Sequence, residues 1–417
     1  MTLTPLSPPR AASRAALAFI FVTVVLDVLA LGIVIPVLPK LVLGFLGGDM
    51  VRTAQIVGIF GTAWAAMQFL ASPLLGALSD RFGRRPVILL SNFGVALDYI
   101  VMAIAPSLAW LFVGRVLSGI TAASLTTAGA YVADVTPPEK RAQGFGMLGA
   151  AFGLGFILGP ALGGVLGGID PRLPFWVAAA LSLANGCYGL FVLPESLPPE
   201  KRAPFSFARA NPIGALKLLR RHPELSGLAT VSLLQQLAHY VYPSIFVLYA
   251  FHRYGWGEQT VGLTLAAVGV FAAIVQGGLA GRIVKALGER RTLLLGCLFG
   301  VIGFAIYGAA PTGLVFWLGM PIMALWGLAS PASQSLMTQR LEAHEQGQLQ
   351  GALTSLMALA GLVGPGLFTQ TFARFIDERG AEIPGAPFFV SSVLVVVAFV
   401  IAERATRARS RRFGPRT

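Results

Sequence analysis

Apolar runs of about twenty residues recur along the whole chain, and they decide what it can fold into. Each run is long enough to cross about 30 Å of hydrocarbon as a helix. Inside lipid a backbone must satisfy its own hydrogen bonds, which makes helices the expected form of these runs. Of the 417 residues, 55% are hydrophobic and only 12% are charged, whereas soluble domains carry about a quarter charged residues. We therefore predict an all-α polytopic membrane protein.

Twelve spans are predicted, and the basic residues orient them. With both termini on one side, 24 of the 31 Lys and Arg residues lie on that side and six lie opposite. By the positive-inside rule both termini are cytoplasmic, so the net charge of +13 reports topology and not nucleic-acid binding. The basic tail is expected to meet anionic lipid headgroups. The predicted spans are 15–39, 53–78, 86–105, 108–133, 142–167, 174–193, 225–250, 260–281, 292–310, 313–337, 348–373 and 385–403.

The chain divides into two six-helix bundles. We predict a first bundle at 1–193, a cytoplasmic linker at 194–224, and a second bundle with its basic tail at 225–417. Landmarks recur between the halves at a constant offset of 205 residues: Gly76, Gly83, Arg85, Gly159 and Pro160 correspond to Gly281, Gly288, Arg290, Gly364 and Pro365. A duplicated unit of this kind is typical of secondary transporters, whose substrate site lies between the halves near the midplane.

The remaining polar residues exclude other classes of protein. Cys187 and Cys297 lie in apolar runs, and the four histidines are scattered, so neither a disulfide framework nor a metal site is expected. The chain has no GxxxxGK[ST] loop for ATP and no cluster of catalytic residues. We expect no enzyme activity and no cofactor. The expected partners are a small-molecule substrate, protons and the bilayer, with a monomer as the functional unit.

Asp27 is the acid that stands deepest in a predicted span. It is thirteen residues from Arg14 and thirteen from Lys40, which places it near the midplane. An intramembrane acid is costly and therefore indicates function, here the binding and release of a proton. The alternative is a carboxylate satisfied by neighbouring hydroxyls without a transport role.

Asp98 and Arg115 flank the short outer turn at Pro106 and are expected at similar depth. They can form a buried pair that is purely structural, because removing either member leaves an uncompensated charge. They can also serve as a relay in which substrate or a proton competes for Asp98. Both interpretations remain open.

The spans of the second half contain no acid near the midplane, and amide and aromatic side chains of both halves predict a polar cavity. Each of these residues can simply hydrogen-bond between helices. Together they suit a neutral or weakly charged amphipathic ligand, with His239 acting as a hydrogen-bonding group and not as a titrating switch. The cavity residues are Gln68, Asn185, Gln236, His239, Tyr240, Gln276 and Gln334.

Span five carries a row of glycines four residues apart. Gly155, Gly159 and Gly163 form one smooth helix face, and Gly164 lies beside it. Such a face lets a neighbouring helix approach closely, and Pro160 favours a kink. Close packing alone explains the glycines; a helix that rocks between two states is the functional alternative.

Six short motifs stand out along the chain: GALSDRFGRRP (76–86), LDVLALGIVIPVLP (26–39), RVLSGITAASLTTAGAYVADVTPPEKR (115–141), GFILGPALGG (155–164), LPES (193–196) and QGQLQG (346–351). At these motifs the chain resembles the major facilitator superfamily, and within it the twelve-span drug/proton antiporters nearest to bacterial tetracycline efflux pumps. The resemblance covers most of the chain from about Leu26 to Thr371. It implies the fold of that superfamily, with two pseudo-symmetric six-helix bundles, and a location in a bacterial inner membrane.

The resemblance implies a cytoplasmic gate at GALSDRFGRRP. Asp80 would face the start of span eleven, where a helix dipole favours an anion, and Arg84 would reach Asp134. Gly76 would let helices meet closely, and Gly83 would permit the turn. The gate also includes Arg81 and Arg85. The alternative, a purely positive-inside anchor, does not account for the acid.

The sequence also departs from the tetracycline pumps. Gly300 stands where they carry a span-nine acid, and Ala272 stands where some have a span-eight histidine. We predict a proton-coupled antiporter that exports a small amphipathic compound, tetracycline-like or multidrug, by alternating access. A proton-coupled importer of a sugar or metabolite is the alternative with the same fold, and the span-five motif argues against it. A non-transporting receptor or enzyme is a third class.

Overall fold

A computed structural model describes residues 10–122, 124–137, 140–204, 217–342, 345–377 and 382–412. Within these ranges the chain is helical or in turns, with no strand, as the apolar runs predict. The α-helices are α1 (Arg10–Val34), α2 (Leu38–Phe45), α3 (Met50–Phe82), α4 (Arg84–Ile104), α5 (Leu108–Thr121), α6 (Ser124–Val135), α7 (Arg141–Ile169), α8 (Leu173–Val192), α9 (Lys217–Arg221), α10 (Pro223–His239), α11 (Val241–Tyr254), α12 (Glu258–Ala273), α13 (Ala280–Ala309), α14 (Gly313–Ala324), α15 (Ala329–Thr338), α16 (Gln346–Ile376) and α17 (Ala386–Arg412).

Ten helical runs in the described residues are long and apolar enough to cross a membrane, and the twelve predicted spans are consistent with them. One run, Glu258–Ala309, has 52 residues, about 78 Å of helix and more than twice the hydrocarbon thickness. It therefore holds two spans, separated at Gly288, whose backbone is not helical. The seventh predicted span is interrupted at Tyr240, so that α10 and α11 are each too short to be counted.

The internal repeat is visible in the backbone. Gly83 has φ 108° and ψ 163°, and Gly288, its predicted counterpart 205 residues later, has φ 75° and ψ 162°. Positive φ is strained for any residue with a Cβ, so both turns require glycine. Pro160 and Pro365, another predicted pair, both lie inside long helices. The repeat is therefore a repeat of structure.

The described chain forms two compact units. The first contains Met1–Ile35 and Met67–Ala210, and the second contains Pro36–Ala66 and Asn211–Thr417. Helix α3 thus contributes its first part to the second unit, where Gly61 lies against Pro365 of α16 and would place a Cβ 3.0 Å from the proline Cβ. The predicted division into 1–193, a linker and 225–417 stays a prediction.

The first unit is built around α1, which packs against α7 and α8. Its core contains fully buried side chains of α1 and α6, among them Ile20, Tyr131 and Val132. The outer faces of these helices expose many large apolar side chains, as expected for a surface that faces lipid. Helix α1, which carries Asp27, is covered by α7 on one side and by α8 on another.

Prolines break the spans of the second unit at specific points. Pro243 lacks the N–H that would bond His239, and the helix is interrupted at Tyr240. Pro331 likewise cannot bond Gly327, which lies in the 3₁₀ turn Leu325–Leu328 between α14 and α15. A π-helical turn, Ile274–Leu279, joins α12 to α13. Such irregular turns in helices recur at functional sites.

A buried carboxylate at the start of α12 is held by a lysine of the same unit. Glu258 is 4% exposed, and Lys40 of α2 forms an ion pair with it. Both residues belong to the predicted outer loops. The pair ties the first predicted outer loop to the loop that precedes α12.

Outside the spans, His222 bridges two carboxylates of the second unit. Its Nδ1 lies 2.9 Å from Glu224 Oε1, and its Nε2 lies 2.9 Å from Glu345 Oε1. Arg340 Nη1 donates to the Glu224 carbonyl at 2.6 Å. Both carboxylates raise the pKa of His222, because only the protonated ring can donate from both nitrogens.

This geometry predicts a pH dependence of stability. A His pKa raised by folding stabilises the protein fully below the unfolded-state pKa, and that stabilisation is lost as pH rises through the folded-state pKa. We expect the thermal midpoint of the detergent-purified protein to fall from mildly acidic to mildly alkaline pH. In His222→Gln the fall should be smaller, because no imidazolium remains to bridge Glu224 and Glu345. An equal fall in both proteins would contradict the prediction.

Candidate functional site

Asp27 lies half-buried on α1 and is held by an amide from α8. Asn185 Nδ2 donates to Asp27 Oδ1 at 2.8 Å and to the Thr23 carbonyl at 3.0 Å. Asn185 itself is fully buried. One partner of Asp27 is thus an amide, which can neither take up nor supply a proton at physiological pH. The structure brings together two residues that the sequence placed in separate sets.

Asp98 is fully buried where α4 packs against α5. A Cβ at Gly114 would lie 2.8 Å from Asp98 Oδ1, so the absence of a side chain there makes room for the carboxylate. Arg115 directly follows Gly114 on α5, the helix that packs against α4. Both roles that the sequence allows for Asp98 and Arg115, a structural pair and a relay, stay predictions.

Tyr99, the residue directly after Asp98, was missed in the sequence. Its side chain is only 2% exposed, so a polar phenol lies buried one position from the Asp98 carboxylate along α4. The position directly after Asp98 is the signal that could have identified Tyr99, because adjacent helical residues share a depth in the membrane.

The glycine face of α7 lies directly against the helix that carries Asp27. A Cβ at Gly155 would lie 2.8 Å from Val28 Cβ, and one at Gly159 would lie 2.7 Å from Gly32 Cα. A Cβ at Gly163 would collide with the carbonyl of Ile33. The predicted close approach is thus present. Pro160 and Gly164 are buried in the same stretch.

The predicted gate residues of the first unit form a network around Arg84. Arg84 Nε donates to Asp134 Oδ2 at 3.0 Å, the contact that the family resemblance implies. Its Nη1 donates to Asp80 and to Ser79 Oγ. Arg84 is 9% exposed, so its charge is largely removed from water and balanced by two carboxylates.

The start of the linker completes this network and was assigned no role in the sequence. Glu195 Oε1 accepts from the Arg84 N–H at 2.8 Å, and Oε2 accepts from the Arg85 N–H at 3.3 Å. The carboxylate thereby caps the free N–H groups at the start of α4 and meets the positive end of its dipole. Ser196 Oγ donates to Asp134 Oδ2 at 3.1 Å. The LPES segment, which resembles a family motif, was the available signal.

The two gate glycines differ in outcome. Gly76 was predicted to permit close helix contact, but among the described residues a Cβ there would meet nothing within 4 Å, so the predicted close contact is wrong at this position. Gly83 needs glycine for its φ and also because a Cβ would collide with the Glu195 carboxylate. Arg81 is exposed, with its guanidinium 5.1 Å from the Phe82 ring centroid. The contact of Asp80 with span eleven stays a prediction.

Arg84→Ala is expected to destabilise the protein by roughly 2 kcal/mol, because it removes the largely buried cation that donates charged hydrogen bonds to Asp80 and Asp134. Arg84→Lys should recover part of the loss, since an ammonium supplies charge without the planar fork. The matched control is Arg81→Ala, which removes an exposed arginine from the same loop. Thermal unfolding of the three purified variants measures the effect, and equal midpoints for the two alanine variants would contradict it.

The predicted cavity residues are distributed over both units. In the first unit, Gln68 Nε2 donates to the Ala122 carbonyl at 3.5 Å, where α5 ends. In the second unit, His239 and Gln276 are exposed, and Gln236 and Gln334 are half-buried. Tyr240 packs into α16, where a Cβ at Gly364 would lie 2.5 Å from its own Cβ. Packing therefore accounts for Tyr240, and a cavity shared by these residues stays a prediction.

Gly300 is buried against a tryptophan that the sequence analysis did not single out. A Cβ at Gly300 would lie 2.5 Å from Trp326 Cδ1 and 3.0 Å from its Nε1. The indole thus occupies the space beside Gly300. In the described residues no group of three or more His, Cys, Asp or Glu is placed to hold a metal ion.

Three comparisons with known proteins bear on this site. The family model described as Major Facilitator Superfamily matches residues 20–365. The class C tetracycline resistance protein of Escherichia coli is 36% identical over 401 residues, which are 95% of this chain and 99% of that protein. The class G protein of Vibrio anguillarum is 38% identical over 388 residues, covering 91% of this chain and 95% of that protein.

Solved structures give the same fold. The human organic anion transporter MFSD10 (TETRAN) superposes with a TM-score of 0.70 and 28% identity, covering 95% of this chain and all of that one. A bacterial homologue of the human lysosomal transporter Spinster superposes with a TM-score of 0.76 at 16% identity, covering 96% of this chain and 98% of that one. The latter likeness concerns the fold alone.

Proposed function

The chain belongs to the Major Facilitator Superfamily, and from that premise we propose that it exports a small amphipathic compound in exchange for protons. It is a multi-pass transporter and not an enzyme. The curated relatives named as tetracycline resistance proteins support drug export across a bacterial inner membrane. The distribution of Lys and Arg supports cytoplasmic termini. The protein works as a monomer by alternating access.

The contact between Asp27 and Asn185 carries the proposal. A half-buried carboxylate on a membrane helix with an amide partner can hold a proton without losing its neighbour, since the amide can donate to the ionised form and accept from the neutral form. Asp27 is the proton carrier, and Asp98 and Arg115 tune it, because nearby charges change the proton affinity of a carboxylate. Proton and substrate are linked because each favours a different state of the transporter.

The glycine face of α7 supplies the mechanical connection. Val28, the residue after Asp27, lies against Gly155, so that a change at Asp27 reaches a helix with a proline in its interior. Pro160 removes one backbone hydrogen bond and permits bending there. Alternating access then needs only a modest rearrangement of α1 against α7.

Substrate-triggered proton release from inside-out vesicles tests the proposal. Purified protein is reconstituted, the lumen is acidified, and tetracycline with magnesium and several chemically varied uncharged and cationic amphipaths are added outside. We expect at least one compound to drive protons out of the lumen, because export into the vesicle is exchanged for proton exit. Movement of substrate and protons in the same direction would instead identify an importer and overturn the proposal, as would silence with the whole panel.

A further inference from the structure

Four rings of the second unit form a closed square. The ring centroids of His239 and Tyr242 are 5.7 Å apart, and those of Tyr242 and Phe304 are 5.9 Å apart. Trp326 closes the square at 5.0 Å from Phe304 and 5.9 Å from His239. Separations and tilts of this kind are typical of attractive aromatic contacts. We call these four residues the aromatic square.

The square lies where the membrane helices of this unit are irregular. His239 is the last residue of α10, and Trp326 belongs to the 3₁₀ turn that follows α14. Gln276 belongs to the π-helical turn, and its Nε2 is 3.5 Å from the position of a Cβ on Gly327. Irregular backbone at membrane depth is tolerated where it is buried in protein or lines a cavity. Three independent interruptions therefore meet at one place.

Gly300 determines how the tryptophan stands. Because Gly300 has no Cβ, the indole of Trp326 lies directly on the surface of α13, with Phe304 one turn further along that helix. Any larger residue at this position would push the indole out of the square. Gly300 thus allows α13 to present an aromatic face built from Trp326 and Phe304.

The chemistry of the square favours an uncharged ligand. Residues 225–257, 259–288 and 292–341, which carry all of these groups, contain no Asp or Glu. A cation bound at the square would therefore lose its hydration without gaining a carboxylate from these stretches. Trp326 Nε1 is buried and has no hydrogen-bond partner in the described residues, and the Gln276 side chain is exposed. An N–H without an acceptor is costly unless a ligand supplies one.

We propose that the aromatic square with Gln276 binds a flat, uncharged aromatic ring system that carries a carbonyl or phenolic oxygen. The ring system packs against the exposed side of the square at His239, its oxygen accepts from the exposed Gln276 amide, and a turn of the indole brings Trp326 Nε1 to the same oxygen. This assignment rests on the proposed function, since it names the class of compound that the transporter carries.

Binding of acridone tests the assignment, because acridone is flat, uncharged and has one carbonyl oxygen. Equilibrium dialysis against the detergent-purified full chain measures its affinity, with N-methylacridinium as the cationic counterpart of similar shape. We expect acridone to bind more tightly than N-methylacridinium, and Trp326→Leu to weaken it by about tenfold. Trp326→Phe, which keeps a ring but loses the N–H, should weaken binding about fivefold. Gly300→Ala should act like Trp326→Leu.

The matched control is Trp110→Leu, which removes an exposed tryptophan of the first unit and should leave the affinity unchanged. It also accounts for partition of acridone into detergent. Absence of acridone binding, tighter binding of N-methylacridinium, or equal affinity in Trp326→Leu and Trp110→Leu would each overturn the assignment. The vesicle experiment is separate: proton exchange without Trp326-dependent binding refutes only this inference, and binding without any exchange refutes only the proposed function.

Discussion

Asp27→Asn is expected to abolish substrate-driven proton movement while leaving the protein folded. The substitution replaces an oxygen by an amide nitrogen of nearly the same size, and the remaining oxygen can still accept from Asn185 as Asp27 Oδ1 does at 2.8 Å. An amide cannot take up a proton in the physiological range. The expected loss of the vesicle proton signal is complete, because the cycle has no other carrier at that position.

Substrate exchange without a gradient is the measurement that isolates this effect. If Asp27 carries only the proton, Asp27→Asn vesicles loaded with substrate should still exchange it for labelled substrate. Asp49→Asn is the matched control, since Asp49 lies in the turn before α3 and its carboxylate accepts from the Arg52 N–H at 2.9 Å. A wild-type proton signal in Asp27→Asn would show that the carrier lies elsewhere, with Asp98 the first alternative.

Alanine at Gly159 or Gly163 is expected to reduce transport by at least about tenfold and to lower the thermal midpoint. A new Cβ at Gly159 would stand 2.7 Å from Gly32 Cα, and one at Gly163 would collide with the Ile33 carbonyl. Both obstacles are backbone and cannot move aside as a flexible side chain can. Overpacking of this kind costs about 1–3 kcal/mol, and it acts on the helix that holds Asp27.

Gly153→Ala is the control for this prediction, because it makes the same change on the same helix where a Cβ would meet nothing within 4 Å. Its transport and thermal midpoint should equal those of the wild type, since alanine also has the higher helix propensity. If Gly153→Ala and Gly159→Ala behave alike, the glycines act through the flexibility of α7 and not through its contact with α1. If neither variant changes transport, the coupling through this interface is wrong.

The two predictions concern one structural unit. Asp27 lies on α1, and α1 has its most extensive contact with α7. A proton that binds to Asp27 neutralises the carboxylate that Asn185 contacts. Val28, the next residue of α1, packs against Gly155 of α7. The proton site therefore lies beside the contact between α1 and α7, and coupling between them needs no long pathway.

Much of this protein follows from its sequence. Twenty-residue apolar runs leave the backbone no alternative to helices within lipid, and the offset of 205 residues predicts that Gly83 and Gly288 share a backbone conformation, which they do. Asp27 can be identified from the sequence because an acid within a membrane span is energetically costly, which indicates a function. The smooth helix face that contains Gly159 follows from the spacing of the glycines alone, because four residues are nearly one helical turn.

Other parts depended on which elements meet. Asn185 is 158 residues from Asp27, and Glu195 is 111 residues from Arg84, so no local pattern links either pair. Gly76 shows the converse. A glycine permits close helix contact, but no described residue lies within 4 Å of where its Cβ would be. The sequence alone determined the helices, their repeat and the presence of a membrane acid, because these depend on local periodicity and on the cost of charge in lipid. Only the tertiary structure decided the partner of that acid and the position of Trp326 over Gly300, because side-chain contacts between distant segments depend on how whole helices pack.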